Sequence, residues 1–254
     1  MNRSLRPLAA GVAVLALATS LAACGSKGSE TSSDETVLRV LAASSLTDVF
    51  TGFEKAFEAS HPGVDVQLSF GSSTDLAAQV KDGAPGDILA TADHDSMVAA
   101  GPNANDHDTE IATNVLVIAT PAGNPQHIRS LADLAGRTWV RCDPAAPCGK
   151  VADKVLAAQH VTAKPASLEP DARSTLDKVV SGEADAGLVY ATDAESAGKD
   201  VTAVTIPGAE KAEAHYYVSA LEQSTQPQLA ADWVVLVAGA EGQAALAKAG
   251  FGKP

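Results

Sequence analysis

The sequence predicts an α/β protein of two lobes, in which each lobe is a mostly parallel sheet flanked by helices. Runs of β-forming residues alternate with segments whose apolar residues recur at helical spacing. This alternation is typical of parallel sheets with helices on both faces. The chain has 254 residues, which is enough for two lobes with cores of their own but short for three domains.

The first predicted lobe begins with two strand-to-helix units. Strands are expected at residues 37–41, 64–70 and 87–91. After the first strand, one face of a helix is formed by apolar residues at helical spacing, namely Leu46, Val49, Phe50, Phe53 and Phe57. After the second strand, residues 71–74 turn into a helix that ends near Gly83.

The second predicted lobe continues the alternation. Its strands are expected at residues 114–120, 138–141, 187–190, 201–206 and 214–221. Its helices are expected at residues 149–159 and 171–180, with a short one opened by Ser130 and Asp133. Two more helices close the chain, around residues 229–237 and 241–248. We assign residues 37–113 plus 223–254 to lobe 1 and residues 114–222 to lobe 2, joined by two crossovers.

The first 23 residues have the pattern of a bacterial lipoprotein signal. Arg3 and Arg6 precede a short apolar stretch at residues 8–17, and small residues lead to Cys24. The stretch is too short for a permanent helix across a bilayer of ~30 Å. We expect cleavage to leave a lipid on Cys24, which holds the protein at the outer face of the cell membrane. Residues 24–36, rich in Gly, Ser and polar residues, then form a flexible tether.

The two other cysteines, Cys142 and Cys148, lie six positions apart in a protein that the signal directs to an oxidising compartment. We predict that they form a disulfide. The alternatives are two buried thiols or a pair of metal ligands, but no third or fourth ligand follows at zinc-like spacing.

Charge and motifs exclude several functions. The chain has 18 Lys+Arg and 31 Asp+Glu, a net charge of −13. Removing Arg3 and Arg6 leaves 16 against 31, or −15. This acidity argues against nucleic-acid binding and means that an anion site would have to act through local geometry. No nucleophile motif, phosphate loop or dinucleotide fingerprint occurs, and the histidines lack metal-site spacing. We therefore expect no enzyme and no cofactor.

Two serine pairs carry the strongest functional signal. Ser44-Ser45 and Ser72-Ser73 each lie between a predicted strand and the first turn of a helix. Backbone N–H groups there lack partners and the helix dipole places roughly +0.5 charge, so an anion is a natural guest. Simple helix capping would explain one such turn equally well. Two turns at the same sheet edge favour a shared anion site.

Motifs in register along the chain resemble the molybdate-binding proteins of bacterial ABC importers. They include AASSLTD at residues 42–48, SFGSSTDL at 69–76, GAPGDILATAD at 83–93, PCG at 147–149, DAR at 171–173 and GLVYATDA at 187–194. The resemblance covers essentially everything from residue 37 onward. It implies the type II periplasmic-binding fold and a protein that works as a monomer.

The resemblance also implies a site that holds a tetrahedral oxyanion with neutral donors and no direct metal ligand. The donors are the hydroxyl and N–H of Ser45 and Ser73, the backbone N–H of Cys148 and Ala172, and the phenol of Tyr190. Tyr190 depends on the resemblance, because a tyrosine at the end of an apolar strand is more often a core residue. The chain departs from the family in a shortened loop at residues 143–149 and in a small residue at Ala172.

The implied function is extracytoplasmic capture of molybdate or tungstate and delivery to an ABC permease and ATPase. Phosphate should be rejected, because its proton would find no acceptor among hydroxyl and N–H donors. Sulfate carries no proton, so only cavity size would exclude it. The alternatives are the same scaffold binding another solute such as sulfate or ferric iron, an enzyme on a related scaffold, and a lipoprotein used in sensing or adhesion.

Overall fold

The computed structural model describes residues 35–102, 104 and 108–254. The expected signal at residues 1–23, the lipid-bearing Cys24 and the tether up to residue 34 lie outside these residues. Thr36, which we assigned to the tether, is the first residue of the first strand.

Lobe 1 is built on a five-stranded sheet with the order β2-β1-β3-β10-β4. Its strands are β1 (Thr36–Ala43), β2 (Val64–Gly71), β3 (Ile88–Thr91), β4 (Thr109–Asn114) and β10 (Ala214–Ala220). Its helices are α1 (Thr47–Ser60), α2 (Ser73–Lys81), α3 (His94–Ala99), α7 (Pro227–Ala238) and α8 (Ala240–Lys248).

Lobe 2 is built on a second five-stranded sheet with the order β7-β6-β8-β5-β9. Its strands are β5 (Leu116–Pro121), β6 (Trp139–Cys142), β7 (Ser167–Glu169), β8 (Ala186–Tyr190) and β9 (Val201–Thr205). Its helices are α4 (Pro147–Ala158), α5 (Ala172–Val180) and α6 (Ala191–Ser196). The short helix expected after Ser130 is a 3-10 turn, Leu131–Leu134, opened by the predicted Ser130–Asp133 capping box.

The two-lobed α/β fold is confirmed, and each sheet is mixed, with four of its five strands running in one direction. In lobe 1, β1 pairs in parallel with β2 and β3, whereas β10 pairs antiparallel to β3 and β4. Lobe 2 has the same division, with β6 in parallel pairs and β5 in antiparallel pairs. The parallel strands are joined by helical crossovers, whereas β10 in lobe 1 and β5 in lobe 2 run against the other four strands of their sheets.

The lobe boundary also differs from the prediction at the second crossover. We placed residues 214–221 in lobe 2, but this segment forms β10 and lies between β3 and β4 of lobe 1. Its apolar pattern fits either sheet, so only the long-range pairing distinguishes them. At the first crossover β4 ends at Asn114 and β5 begins at Leu116, so the chain passes directly from one sheet to the other.

The core of lobe 1 joins the beginning of the chain to its end. On α1, Phe50, Phe53 and Phe57 face Trp233 of α7 edge to face, with ring centroids 5.8, 6.5 and 5.4 Å away. Trp233 is fully buried, as expected for core packing. Among the described helices none alone is long and apolar enough to cross a membrane; α7 and α8 meet that test only as a pair bent by 55°.

Candidate functional site

The candidate site is a small cavity at the carboxyl ends of strands from both sheets, where ligands bind in open α/β folds. The first turns of α1 and α2 reach it from lobe 1, and those of α4 and α5 from lobe 2. Its lining consists of Ala43, Ser44, Ser45, Gly71, Ser72, Ser73, Ala92, Ala146, Pro147, Cys148, Asp171, Ala172 and Tyr190.

The cavity is small. The centre of a water-sized sphere has about 10 Å³ to move in, which is the room for one compact guest. Its lining residues include four serines and Tyr190, and several of them lie at the starts of helices. Such a cavity suits a small inorganic anion and excludes a sugar or a peptide.

The structure brings all five sequence-predicted ligand residues to this one cavity. Ser45 and Ser73 line it from lobe 1, and Cys148, Ala172 and Tyr190 from lobe 2. Ser44 and Ser72, the neighbours in each serine pair, line it as well.

The hydroxyl of Ser73 is oriented by a backbone donor. The N–H of Ala92, the first residue after β3, donates to Ser73 Oγ at 2.9 Å. Ser73 is buried, and in the described part of the chain its own hydroxyl hydrogen has no acceptor. The oxygen therefore accepts from Ala92, and its hydrogen is available to an anion in the cavity.

The hydroxyl of Ser45 contacts a residue that our sequence analysis missed. Tyr216 Oη lies 2.8 Å from Ser45 Oγ, although Tyr216 comes from β10 and is separated by 171 positions. Tyr216 is fully buried. Two features of the sequence could have identified Tyr216. The alternating pattern of β10 places it on the buried side, and a buried tyrosine hydroxyl needs a hydrogen-bond partner.

The hydroxyl of Tyr190 is buried at the cavity and has no hydrogen-bond partner among the described residues. Burial, followed by the nearby Tyr216 and acidic side chains, raises the pKa of Tyr190 well above its usual value. The phenol therefore stays protonated and can act as a donor. Our expectation from the resemblance was that the Tyr190 hydroxyl would be a ligand group, and this unpaired position agrees with it.

Three backbone N–H groups at helix starts also lack partners. No hydrogen bond within the described residues engages the N–H of Ser73, Cys148 or Ala172, which lie in the first turns of α2, α4 and α5. Such groups at a first turn need an outside acceptor. The helix dipoles of α2, α4 and α5 add partial positive charge at the same points.

The loop before α4 is held by covalent and polar contacts. A disulfide joins Cys142, the last residue of β6, to Cys148, as the sequence predicts. Arg141 is buried and donates to Asp153 Oδ1 at 2.6 Å and to the carbonyl of Gly149 at 2.9 Å. The backbone of Gly149 packs directly on the backbone of Asp143, because a side chain at Gly149 would collide with the Asp143 carbonyl.

Charged side chains near the cavity are engaged elsewhere. The one charged residue among the lining residues is Asp171, whose Oδ1 accepts the N–H of Ser174 and caps α5. Arg173 pairs with Asp48 at 2.6 Å. Asp193 is completely buried behind the site, and burial raises its pKa to about 7 against the opposing effect of Arg173.

Polar contacts across the cleft hold the lobes together. Thr74 of α2 donates to the carbonyl of Ala145 at 2.8 Å, and the Arg173–Asp48 pair joins α5 to α1. On another side, Lys150 of α4 reaches Asp93 at 2.7 Å and Asp95 at 3.3 Å. These contacts bring the two lobes together around the cavity.

Comparison with known proteins places these features in a family. A model of the bacterial extracellular solute-binding proteins matches residues 38–252. The molybdate-binding protein ModA of Mycobacterium tuberculosis is 39% identical over 257 aligned residues, which cover 97% of this chain and 98% of that protein. ModA of Escherichia coli is 32% identical, with 74% of this chain and 79% of the relative covered.

Solved structures share the fold at lower identity. The periplasmic molybdate-binding protein of Azotobacter vinelandii superposes with a TM-score of 0.73 at 19% identity, covering 85% of this chain and 99% of that one. The sulfate-binding protein SubI of Mycobacterium tuberculosis gives a TM-score of 0.72 at 23% identity, covering 85% of this chain and 86% of SubI.

Proposed function

Because the chain belongs to the bacterial extracellular solute-binding proteins, we propose that it captures molybdate, and also tungstate, between its two lobes for an ABC importer. The ModA relatives, which match nearly the whole chain, support molybdate as the solute. The expected ligand groups are the hydroxyls of Ser45, Ser73 and Tyr190 and the backbone N–H groups of Ser45, Ser73, Cys148 and Ala172.

One observation carries the proposal: uncharged donors from both lobes, without partners of their own, converge on one small cavity. Ser73 and Tyr190 have hydroxyl hydrogens without acceptors, and Cys148 and Ala172 have N–H groups without acceptors. Leaving so many buried donors unpaired is costly, at about 1–3 kcal/mol each. A fully deprotonated tetrahedral dianion offers acceptors in every direction and satisfies all of them.

The direction of these hydrogen bonds distinguishes oxyanions. Ser73 Oγ accepts from the Ala92 N–H behind it, which leaves its hydroxyl hydrogen to be donated into the cavity. Hydrogen phosphate brings a proton that needs an acceptor, and the carboxylate of Asp171 is occupied at Oδ1 by the cap of α5. Sulfate has no proton and remains the alternative solute, with the SubI-like fold in its favour. Cavity size is then the discriminating property.

Closure links binding to transport. An anion held by both lobes favours the closed form, which a permease can distinguish from the open one. We propose that a permease and an ATPase receive the anion, and that the protein acts as a monomer held at the outer membrane face through a lipid on Cys24. In this view the chain is a carrier and performs no catalysis.

A thermal unfolding experiment with four anions tests the proposal. Molybdate and tungstate at ~1,000 times the dissociation constant should add about 4 kcal/mol to the free energy of unfolding. Sulfate and phosphate at the same concentration should add much less. Tyr190→Phe, which removes only the hydroxyl, should reduce the molybdate effect. Equal stabilisation by sulfate, or no stabilisation by molybdate, would overturn the assignment.

A further inference from the structure

We propose that Tyr216 is a positioning residue that sets the selectivity of the anion site, by fixing the Ser45 hydroxyl as a donor. This inference rests on the proposed function. Tyr216 is not among the residues lining the cavity, but its hydroxyl contacts Ser45 Oγ at 2.8 Å from behind. Its effect on the anion would therefore pass through Ser45.

Which of Tyr216 and Ser45 donates in their contact follows from the hydrogen bonds of Asn114, on the other side of Tyr216. Val115 N–H donates to Asn114 Oδ1 at 3.0 Å, and a backbone N–H can only donate. This fixes the amide of Asn114, whose Nδ2 then faces Thr192 Oγ1 at 2.8 Å and Tyr216 Oη at 3.4 Å. Tyr216 therefore receives a hydrogen from Asn114.

Tyr216 must then place its own hydrogen. Two side-chain atoms lie at hydrogen-bond distance from the hydroxyl of Tyr216, namely Asn114 Nδ2 and Ser45 Oγ, and of these only the serine can accept. The Tyr190 hydroxyl also lies near Tyr216, but it makes no hydrogen bond at that distance. Since Tyr216 is fully buried, donation to Ser45 is the arrangement that leaves no hydrogen unpaired. Ser45 accepts from Tyr216 and turns its hydrogen toward the cavity. The relay runs from Asn114 through Tyr216 to Ser45 and then to the anion.

This relay parallels the arrangement at Ser73, where the Ala92 N–H occupies the serine oxygen. In both cases a fixed donor behind the serine occupies one lone pair of its oxygen and leaves the hydroxyl hydrogen to point toward the guest. The two serines of lobe 1 are thereby oriented as donors. An anion that carries a proton, such as hydrogen phosphate, is disfavoured by the positioning groups as well as by the residues that touch it.

Replacing Tyr216 by Phe tests the relay, because Phe keeps the ring and removes the hydroxyl. Ser45 would then lose the donor that orients its hydroxyl, so its oxygen could turn toward the guest as an acceptor. We expect affinity for molybdate to fall about 3- to 10-fold, the range of one neutral hydrogen bond, and affinity for phosphate to rise. The molybdate-to-phosphate affinity ratio, measured by calorimetry, should fall about tenfold or more. Tyr217→Phe is the matched control: this neighbour packs on His94 and is not part of the relay.

A double-mutant cycle separates positioning from a merely structural role. In a Ser45→Ala background the relay has no endpoint, so Tyr216→Phe should no longer change the affinity ratio. If Tyr216→Phe weakens both anions equally, or if its effect on the ratio persists without the Ser45 hydroxyl, the relay is overturned. A wild-type protein that fails to bind molybdate would instead overturn the proposed function and this inference with it.

Should the Tyr216→Phe chain fail to fold, Asn114→Ala perturbs the relay from its other end. Tyr216 would then lose its donor, and its hydrogen bond to Ser45 would no longer have a fixed direction. The affinity ratio should shift in the same direction and by a smaller factor, because the Asn114–Tyr216 contact is long at 3.4 Å. An unchanged ratio in this variant would also overturn the relay.

Discussion

Ser73→Ala is the sharpest test of the site, because the contacts of Ser73 allow its effects on binding and on stability to be separated. The variant removes one hydroxyl hydrogen bond to the anion, and hydrogen bonds to charged groups contribute ~1.5–3 kcal/mol. The dissociation constant for molybdate should therefore rise about 10- to 150-fold. The variant also strands the buried Ala92 N–H, which now donates to Ser73 Oγ at 2.9 Å.

The loss at Ala92 occurs with and without anion, so it cancels from the binding free energy. It should appear instead as a decrease of ~1–3 kcal/mol in the free energy of unfolding of the anion-free protein. Calorimetric titration with molybdate measures the first effect and denaturant unfolding measures the second. The two readouts together distinguish a lost ligand group from a general loss of structure.

Ser72→Ala provides the matched control and tests the register. Ser72 lines the same cavity and precedes α2, but its side chain makes no capping hydrogen bond. Its removal should change affinity by less than about threefold. Wild-type affinity in Ser73→Ala, or a large loss in Ser72→Ala alone, would refute the assignment of Ser73 as the donor.

Three further predictions concern closure, the loop and pH. Lys150→Met removes an ion pair that bridges the lobes, so calorimetry should find molybdate affinity a few-fold weaker; Lys178→Met, within lobe 2, should leave it unchanged. Reducing the Cys142–Cys148 disulfide should weaken binding by loosening the start of α4, and unchanged affinity after reduction would contradict this role. Because burial raises the pKa of Asp193 to about 7, the folded state keeps a proton that the unfolded state releases. The free energy of unfolding should thus fall as pH rises from about 4 to about 7, and Asp193→Asn should flatten that dependence in denaturant titrations.

Local patterns predicted the elements that surround the site. The phenylalanine stripe of α1 and the serine turns before α1 and α2 follow from spacing and capping chemistry, which depend on neighbours in sequence. The five proposed ligand residues follow from the resemblance, and the structure gathers them at one cavity. Short elements were missed, namely α3, β4, β7 and α6, because three to six residues carry too little periodicity.

Strand pairing between distant parts of the chain could not be predicted from the sequence. The segment that forms β10 has a clear strand pattern, yet its place between β3 and β4 depends on partners more than a hundred positions away. Tyr216 lies on that strand, so assigning β10 to the wrong lobe also hid its contact with Ser45. The groups proposed to touch the anion could be inferred from motifs. Tyr216 lies behind Ser45, and this contact could be identified only once the order of the strands in the sheet was known.

An acidic chain can hold a dianion because the attraction is local and exists only in the closed form. The net charge of −13 provides no long-range attraction, and salt screens charges beyond ~8 Å. Lobe 1 offers Ser45 and Ser73, and lobe 2 offers Cys148, Ala172 and Tyr190, so either lobe alone satisfies only part of the anion. A ligand shifts a conformational equilibrium only by its difference in affinity for the two states. Dividing the donors between the lobes produces that difference, so variants that weaken the anion contacts of one lobe should also reduce closure.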